Sequence, residues 1–342
     1  MRKIALDHLG ELFSTINESQ ALYLPIDKKG KVNFDRWNEG DRVKLKTLNT
    51  VRSAKDVFFP QSEDLVSFKM EGKNISVLPP AEPDEPFVVF GVRPCDAKSF
   101  EVLDRVFLSE PVDTYYQARR ENGTVVTLAC NEPEETCFCS AFGIDATDPT
   151  GDVAAWMTET DLYLKALSEK GKTFLKSIQG LTQEAKKAEI DDTIKAAKDV
   201  LSRLPLKDLK LDHFGGEAAQ KLFDAPEWED LSSACIGCGT CTFVCPTCQC
   251  YDIRDFDTGH GVKRFRCWDS CMYSDFTMMA HGNPRKSQLE RFRQRFMHKL
   301  VYFPANNDGM FSCVGCGRCV AKCPISMNIV KVIKTLGEGA NE

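Results

Sequence analysis

Two copies of one cysteine pattern dominate the C-terminal third of this chain. The first reads Cys235-x2-Cys238-x2-Cys241-x3-Cys245-Pro246 and the second Cys313-x2-Cys316-x2-Cys319-x3-Cys323-Pro324. Thiolates are the soft ligands that iron–sulfur clusters take, and a C-x2-C-x2-C-x3-C-P run serves a [4Fe–4S] cluster. Where two runs occur, the fourth cysteine of each ligates the cluster of the other. One cluster is therefore expected at Cys235, Cys238, Cys241 and Cys323, and a second at Cys313, Cys316, Cys319 and Cys245. Structural zinc fits poorly, because it draws on paired C-x2-C units rather than four cysteines in one run. Between the cysteines stand Ile236, Gly237, Gly239, Val314, Gly315 and Gly317, which are small or apolar. Such residues let the backbone approach closely, and its amides then hydrogen-bond to sulfur and raise the reduction potential. Two neighbouring clusters make an electron relay.

The rest of the composition narrows the setting. With 342 residues the chain has room for two or three domains, and its net charge of −6 tells against nucleic acid as a general partner. The 16 cysteines have the spacings of metal ligands, not of a disulfide framework. So many thiolates imply a reducing cytoplasm, and an anaerobic or microaerobic host. The opening MRKIALDHLGELF shows no apolar signal core. No apolar run approaches the ~20 residues of a membrane span.

The first 60 residues read as mixed helix and loop, with Leu6, Leu9 and Phe13 on one helical face. Val66–Met70 is a candidate strand, and a turn is expected at Asp84–Pro86. Phe87–Val92 and Thr124–Ala129 have the β-branched, apolar profile of buried strands. They stop at Arg93-Pro94-Cys95-Asp96 and at Cys130, which puts both thiols at strand ends, where open α/β sheets place their sites. Cys137 and Cys139 follow in a polar loop. Cys95, Cys130, Cys137 and Cys139 are thus four candidate ligands for a third cluster, with buried structural cysteines as the alternative. Asp96 could supply an oxygen ligand, or simply occupy the turn after proline.

From Thr182 to Leu204 the pattern is helical, with Thr182 as N-cap, and 205–230 read as a helical connector. Between the two cysteine runs, Met278, Leu289, Phe292, Phe296 and Leu300 recur at roughly helical spacing. This long helical separation resembles the helical ferredoxin modules of respiratory iron–sulfur subunits. The fold expected is α+β: an N-terminal α/β domain over 1–225, then an all-helical ferredoxin-type two-cluster domain over 226–342. Cys248, Cys250, Cys267 and Cys271 are left over. They fit packing around the clusters, a further metal site or a redox-active pair. Arg285, Lys286, Arg291, Arg293, Arg295 and Lys299 form a basic stretch. It is either a solvated helix face, or a set of cations that offset cluster charge or dock a partner. No G-x-G-x-x-G or G-x-x-x-x-G-K-[ST] is present, and five histidines are scattered.

Four segments together resemble one family: Gly91-Val92-Arg93-Pro94-Cys95-Asp96, Cys245-Pro246-Thr247-Cys248-Gln249-Cys250, Arg266-Cys267-Trp268-Asp269-Ser270-Cys271 and Cys316-Gly317-Arg318-Cys319. They look like the motifs of sulfhydrogenase beta subunits and anaerobic sulfite reductase A subunits. The resemblance runs from about 87 to 330, with no matching motif in 150–230. It implies an electron-transfer subunit between a flavin/NAD(P)-binding subunit and a catalytic subunit, which would be a hydrogenase, a sulfite reductase or a heterodisulfide-reductase-like module. A redox enzyme in its own right is the alternative, with flavin or substrate held in the N-terminal domain near Cys95 and Cys130. A stand-alone carrier or redox sensor is a third reading.

Overall fold

The computed structural model describes residues 1–79 and 85–338; the turn expected at Asp84–Pro86 lies partly outside them. Twelve strands are found among these residues: β1 (Arg2–Ala5), β2 (Ala21–Lys28), β3 (Lys31–Arg36), β4 (Ser62–Glu71), β5 (Asn74–Leu78), β6 (Phe87–Val92), β7 (Gly123–Leu128), β8 (Val153–Met157), β9 (Asp161–Ala166), β10 (Gln183–Glu184), β11 (Tyr251–Asp257) and β12 (Gly261–Trp268). Eight of them form one mixed sheet in the order β10-β1-β9-β8-β7-β6-β2-β3. Its centre, β2, β6, β7 and β8, is parallel.

The apolar runs of β6 and β7 are buried along their whole length, as central parallel strands must be. Alternate residues feed two cores. Val88, Phe90, Val126 and Leu128 pack with Leu12, Phe13 and Ile16 of the helix Leu9–Ser19. Phe87, Val89 and Val125 pack on the other face with Phe100 and Leu103 of the helix Pro94–Phe107. Because β6 and β7 are parallel neighbours, with Val92 opposite Thr127, both deliver the chain to the same sheet edge.

The first 60 residues hold three strands where helix and loop were expected. Leu22, Leu24 and Ile26 alternate into the core along β2, but Pro25 interrupts the run and hides it, since proline argues against an internal strand. The helix expected from Thr182 begins only at Asp191. Thr182 instead accepts from the Arg2 side chain, and Gln183 and Glu184 pair with β1.

The all-helical reading of the two-cluster region is overturned. Between the cysteine runs, β11 and β12 form an antiparallel hairpin that joins β4 and β5 in a second sheet, β11-β12-β4-β5. The cause is legible afterwards: Tyr251 and Ile253 alternate with Asp252 and Arg254, and Phe265 and Cys267 with Arg264 and Arg266, at strand spacing, with Thr258-Gly259-His260 as the turn. The helical periodicity is real only further on, in the helix Gln288–Met297, which Ser287 and Glu290 open with a capping box. Met278 lies outside it and is exposed. That helix, the segment His298–Tyr302 and the helix Ile329–Glu338 supply the core of this region.

Candidate metal centre

Each cysteine run is built the same way. A glycine in the left-handed region, Gly239 or Gly317, turns the chain into a short helix, Thr240–Phe243 or Arg318–Lys322, that carries the third cysteine. Left-handed backbone costs most residues strain that glycine avoids.

The packing brings the fourth cysteine of each run near the other run. Cys235, Cys238 and Cys241 of the first run line one cavity together with Cys323 of the second, walled by Met272, Phe292 and Phe296. Conversely, Cys245 of the first run lies within electrostatic reach of Cys313, Cys316 and Cys319. Burial pushes the Cys313 thiol up to about 12 and raises Cys316 and Cys319 as well. Crowded, dehydrated thiols resist ionisation until a cation arrives to share the charge, which is how iron binding and thiol deprotonation are coupled. Among the described residues no group of three or more His, Cys, Asp or Glu side chains gathers tightly enough for a single metal ion. A cubane needs no such convergence, because each thiolate binds a different iron.

Two buried cations face the same cysteine sulfurs. Arg295 and Lys299 are 2% and 3% exposed. Burial opposes both charges, yet the surrounding cysteine sulfurs outweigh it and hold both cations charged: Cys241, Cys319, Cys248 and Cys245 around Arg295, and Cys245, Cys248 and Cys313 around Lys299. Arg295 donates to the Cys241 carbonyl at 2.7 Å, but its Nε and Nη1 have no hydrogen-bond partner. A buried charge persists only when paired. Thiolates holding a cluster supply that pairing, so the donor set fits iron–sulfur clusters. Lys299 also staples the two runs, donating to Thr247 Oγ1 at 2.8 Å and to the Ser312 carbonyl at 2.9 Å. The basic stretch is therefore split. Arg295 and Lys299 face sulfur, whereas Arg291 donates to the Arg285 carbonyl at 2.9 Å and Arg293 stacks on Phe223, 3.7 Å from the ring centre.

The four N-terminal cysteines also converge. Cys95 sits in the first turn of the helix Pro94–Phe107, where proline has no needed N–H to lose. Cys130 follows β7. Cys95, Cys130 and Cys139 pack in one buried cluster that includes Val314 and Cys316 of the second run. Cys137 lies beside Cys139 and Cys130; burial pushes Cys137 and Cys139 up to about 12. The Cys137–Cys139 loop is pinned to the second run, for Phe138 N donates to the Gly315 carbonyl at 2.9 Å. A Cβ on Gly315 would collide with the Phe138 carbonyl, so the close approach requires glycine.

Two residues that the sequence did not single out tie these parts together. Arg318, 2% exposed, donates to Asp96 Oδ1 and Oδ2 at 2.5 and 2.7 Å and to the Thr50 carbonyl at 3.0 Å. Both Asp96 oxygens are thus engaged by a guanidinium. Lys55 lies 3.5 Å from the Trp268 ring centre and donates to the Cys248 carbonyl at 2.8 Å. Arg318 stood in a quoted motif, but its partner is 222 positions away. Nothing in the local sequence marks Lys55.

The remaining cysteines divide. Cys248 hydrogen-bonds to Cys245, holding Cys245 well below the usual thiol range. Cys271 hydrogen-bonds to Cys250. Cys267 stands apart on β12, among Arg254, Asp252 and Asp269.

Comparison with known proteins agrees with this geometry. A family model described as 4Fe-4S dicluster domain matches residues 234–327. Sulfhydrogenase 2 subunit beta of Pyrococcus furiosus is 31% identical over 346 aligned residues, covering 98% of each chain. No solved structure matches significantly. No helix among the described residues is long and apolar enough to cross a membrane. The chain belongs to the iron–sulfur subunit family of the sulfhydrogenase beta subunits.

Proposed function

We propose that the chain relays electrons through three four-iron clusters, inside a cytoplasmic oxidoreductase complex. The observation that carries this is the contiguity of the three cysteine sets. Cys95, Cys130, Cys137 and Cys139 would hold one cluster, and three of them, Cys95, Cys130 and Cys139, pack in one buried group with Cys316. Cys316, with Cys313, Cys319 and Cys245, would hold the next. Cys241, with Cys235, Cys238 and Cys323, would hold the last, and Arg295 faces both of these sets. When bound, the clusters accept and give up single electrons. The chain's own residues fix the spacing, exclude water and balance the charge. In this reading 226–342 is the dicluster unit and 1–225 carries the third set.

Membership of the family supports a subunit role. The donor side is proposed as a flavin/NAD(P)-binding subunit and the acceptor side as a catalytic subunit of the hydrogenase, sulfite reductase or heterodisulfide-reductase-like kind. The test is anaerobic reduction followed by EPR. The isolated chain should carry no flavin and should stay oxidised with NAD(P)H. It should become reduced once the flavin subunit of its complex is added. A yellow chromophore on the isolated chain, with direct reduction by NAD(P)H, would favour an enzyme in its own right and sink the subunit reading.

A further inference from the structure

We propose that Gln288 and Thr240 donate hydrogen bonds to the sulfurs of the first cysteine set and raise its reduction potential, and that Arg291 is the positioning residue that aims Gln288. The inference deepens the relay reading above and rests on its dicluster part alone.

Gln288 opens the helix Gln288–Met297, directly behind the cap residue Ser287. Its Nε2 donates to Cys235 Sγ at 3.4 Å. An amide side chain has a donor end and an acceptor end, so its orientation decides what the sulfur meets. Arg291, one turn further on, settles that orientation: its Nη2 and Nε donate to Gln288 Oε1 at 3.1 and 3.3 Å. The guanidinium is itself held, with Nη1 donating to the Arg285 carbonyl at 2.9 Å. With the oxygen occupied, the NH2 group is the end that faces Cys235. The fit is also close on the side of the cysteine loop. A Cβ on Gly237, which stands at φ +66°, would lie 3.1 Å from Gln288 Oε1.

Thr240 begins the short helix after Gly239. Its Oγ1 lies 3.4 Å from Cys238 Sγ and accepts from the thiol. A thiolate sulfur can only accept, so with Cys238 ionised as a ligand the hydroxyl rotates and donates. The second run has no counterpart. The residue before its third cysteine is Arg318, whose guanidinium is taken by Asp96 and the Thr50 carbonyl. Thr247 stands 3.2 Å from Cys245, but its one hydrogen goes to the Ser312 carbonyl at 2.9 Å. Among the described residues, neutral side-chain donors to sulfur thus gather on the first set. Reduction adds negative charge to the sulfurs, so a donor aimed at them favours the reduced form and raises the potential.

The test is an EPR-monitored redox titration of the full chain, purified anaerobically. Iron content and denaturant unfolding are measured on the same samples. Gln288→Leu and Thr240→Val each remove one donor with little change in shape. Both should move the same single redox wave to lower potential, with the other waves, the iron content and the unfolding midpoint left in place. Thr240→Ser keeps the hydroxyl and should titrate with the wild type. Arg291→Met frees the amide to turn and should move the same wave in the same direction. Waves unmoved in Gln288→Leu and Thr240→Val, with iron intact, would overturn the proposal and leave the cluster reading standing. So would a shift of a different wave in each, because the two donors would then not serve one set. A wild type without iron would sink the cluster reading and the proposal with it.

Discussion

Replacing Lys299 by methionine is expected to destabilise the protein and to lower the reduction potential of the neighbouring cluster. The ammonium is buried, and Thr247 Oγ1 and the Ser312 carbonyl both accept from it. Methionine leaves the Ser312 carbonyl with only the Thr247 hydroxyl, 2.9 Å away, and takes the staple off both cysteine runs. Removing one partner of a buried charge cluster costs about 3–5 kcal/mol. The electrostatic consequence has a definite sign. A cluster becomes more negative on reduction, so a nearby cation favours the reduced form and its loss lowers the potential. At an effective dielectric near 20, one charge several ångströms away contributes on the order of 2 kcal/mol. That corresponds to a drop on the order of 80 mV for one electron. Lys299→Arg keeps the charge and should recover most of the potential. Denaturant unfolding and an EPR-monitored redox titration measure the two effects. A potential unchanged in Lys299→Met would show that the ammonium does not face a cluster.

Arg318→Met should be comparably damaging, through a different route. It strands the Asp96 carboxylate, 1% exposed, with no cation beside it, and frees the Thr50 carbonyl. The cost expected is again about 3–5 kcal/mol, since an unpaired buried carboxylate is left behind. The pair also sets the second run against the helix Pro94–Phe107, so the variant should loosen the packing of Cys316 on Cys95 and Cys139. The double variant Arg318→Met with Asp96→Asn removes both charges and should recover part of the loss. A double-mutant cycle on unfolding free energies measures this coupling. Additive effects of the two single changes would mean that the ion pair contributes nothing as a pair.

Much of the candidate site was readable because its chemistry is written in local spacing. The eight motif cysteines and the exchange of Cys245 and Cys323 between the runs are expectations that rest on short-range pattern alone. Cys95 and Cys130 were read at strand ends because two buried apolar runs stop there; that the two ends share one sheet edge follows only from the parallel pairing of β6 and β7. The errors have specific causes. The β11–β12 hairpin was missed because the helical rhythm of Leu289, Phe292 and Phe296 was extended back over a segment that alternates at strand spacing. β2 was missed because Pro25 sits within it. The Arg318–Asp96 pair, the Lys55 contact with Trp268 and the Lys299 staple join residues far apart in sequence. No periodicity or motif encodes such contacts. They exist because buried charges must find partners wherever the fold places them.

Iron and acid-labile sulfide per chain, on protein purified anaerobically, test the central claim most directly. Three contiguous four-iron clusters predict about 12 iron and as much sulfide, falling to about 8 when Cys137 and Cys139 are replaced by serine. A wild-type value of about 8, unchanged by those replacements, would contradict a relay reaching through the N-terminal cysteines.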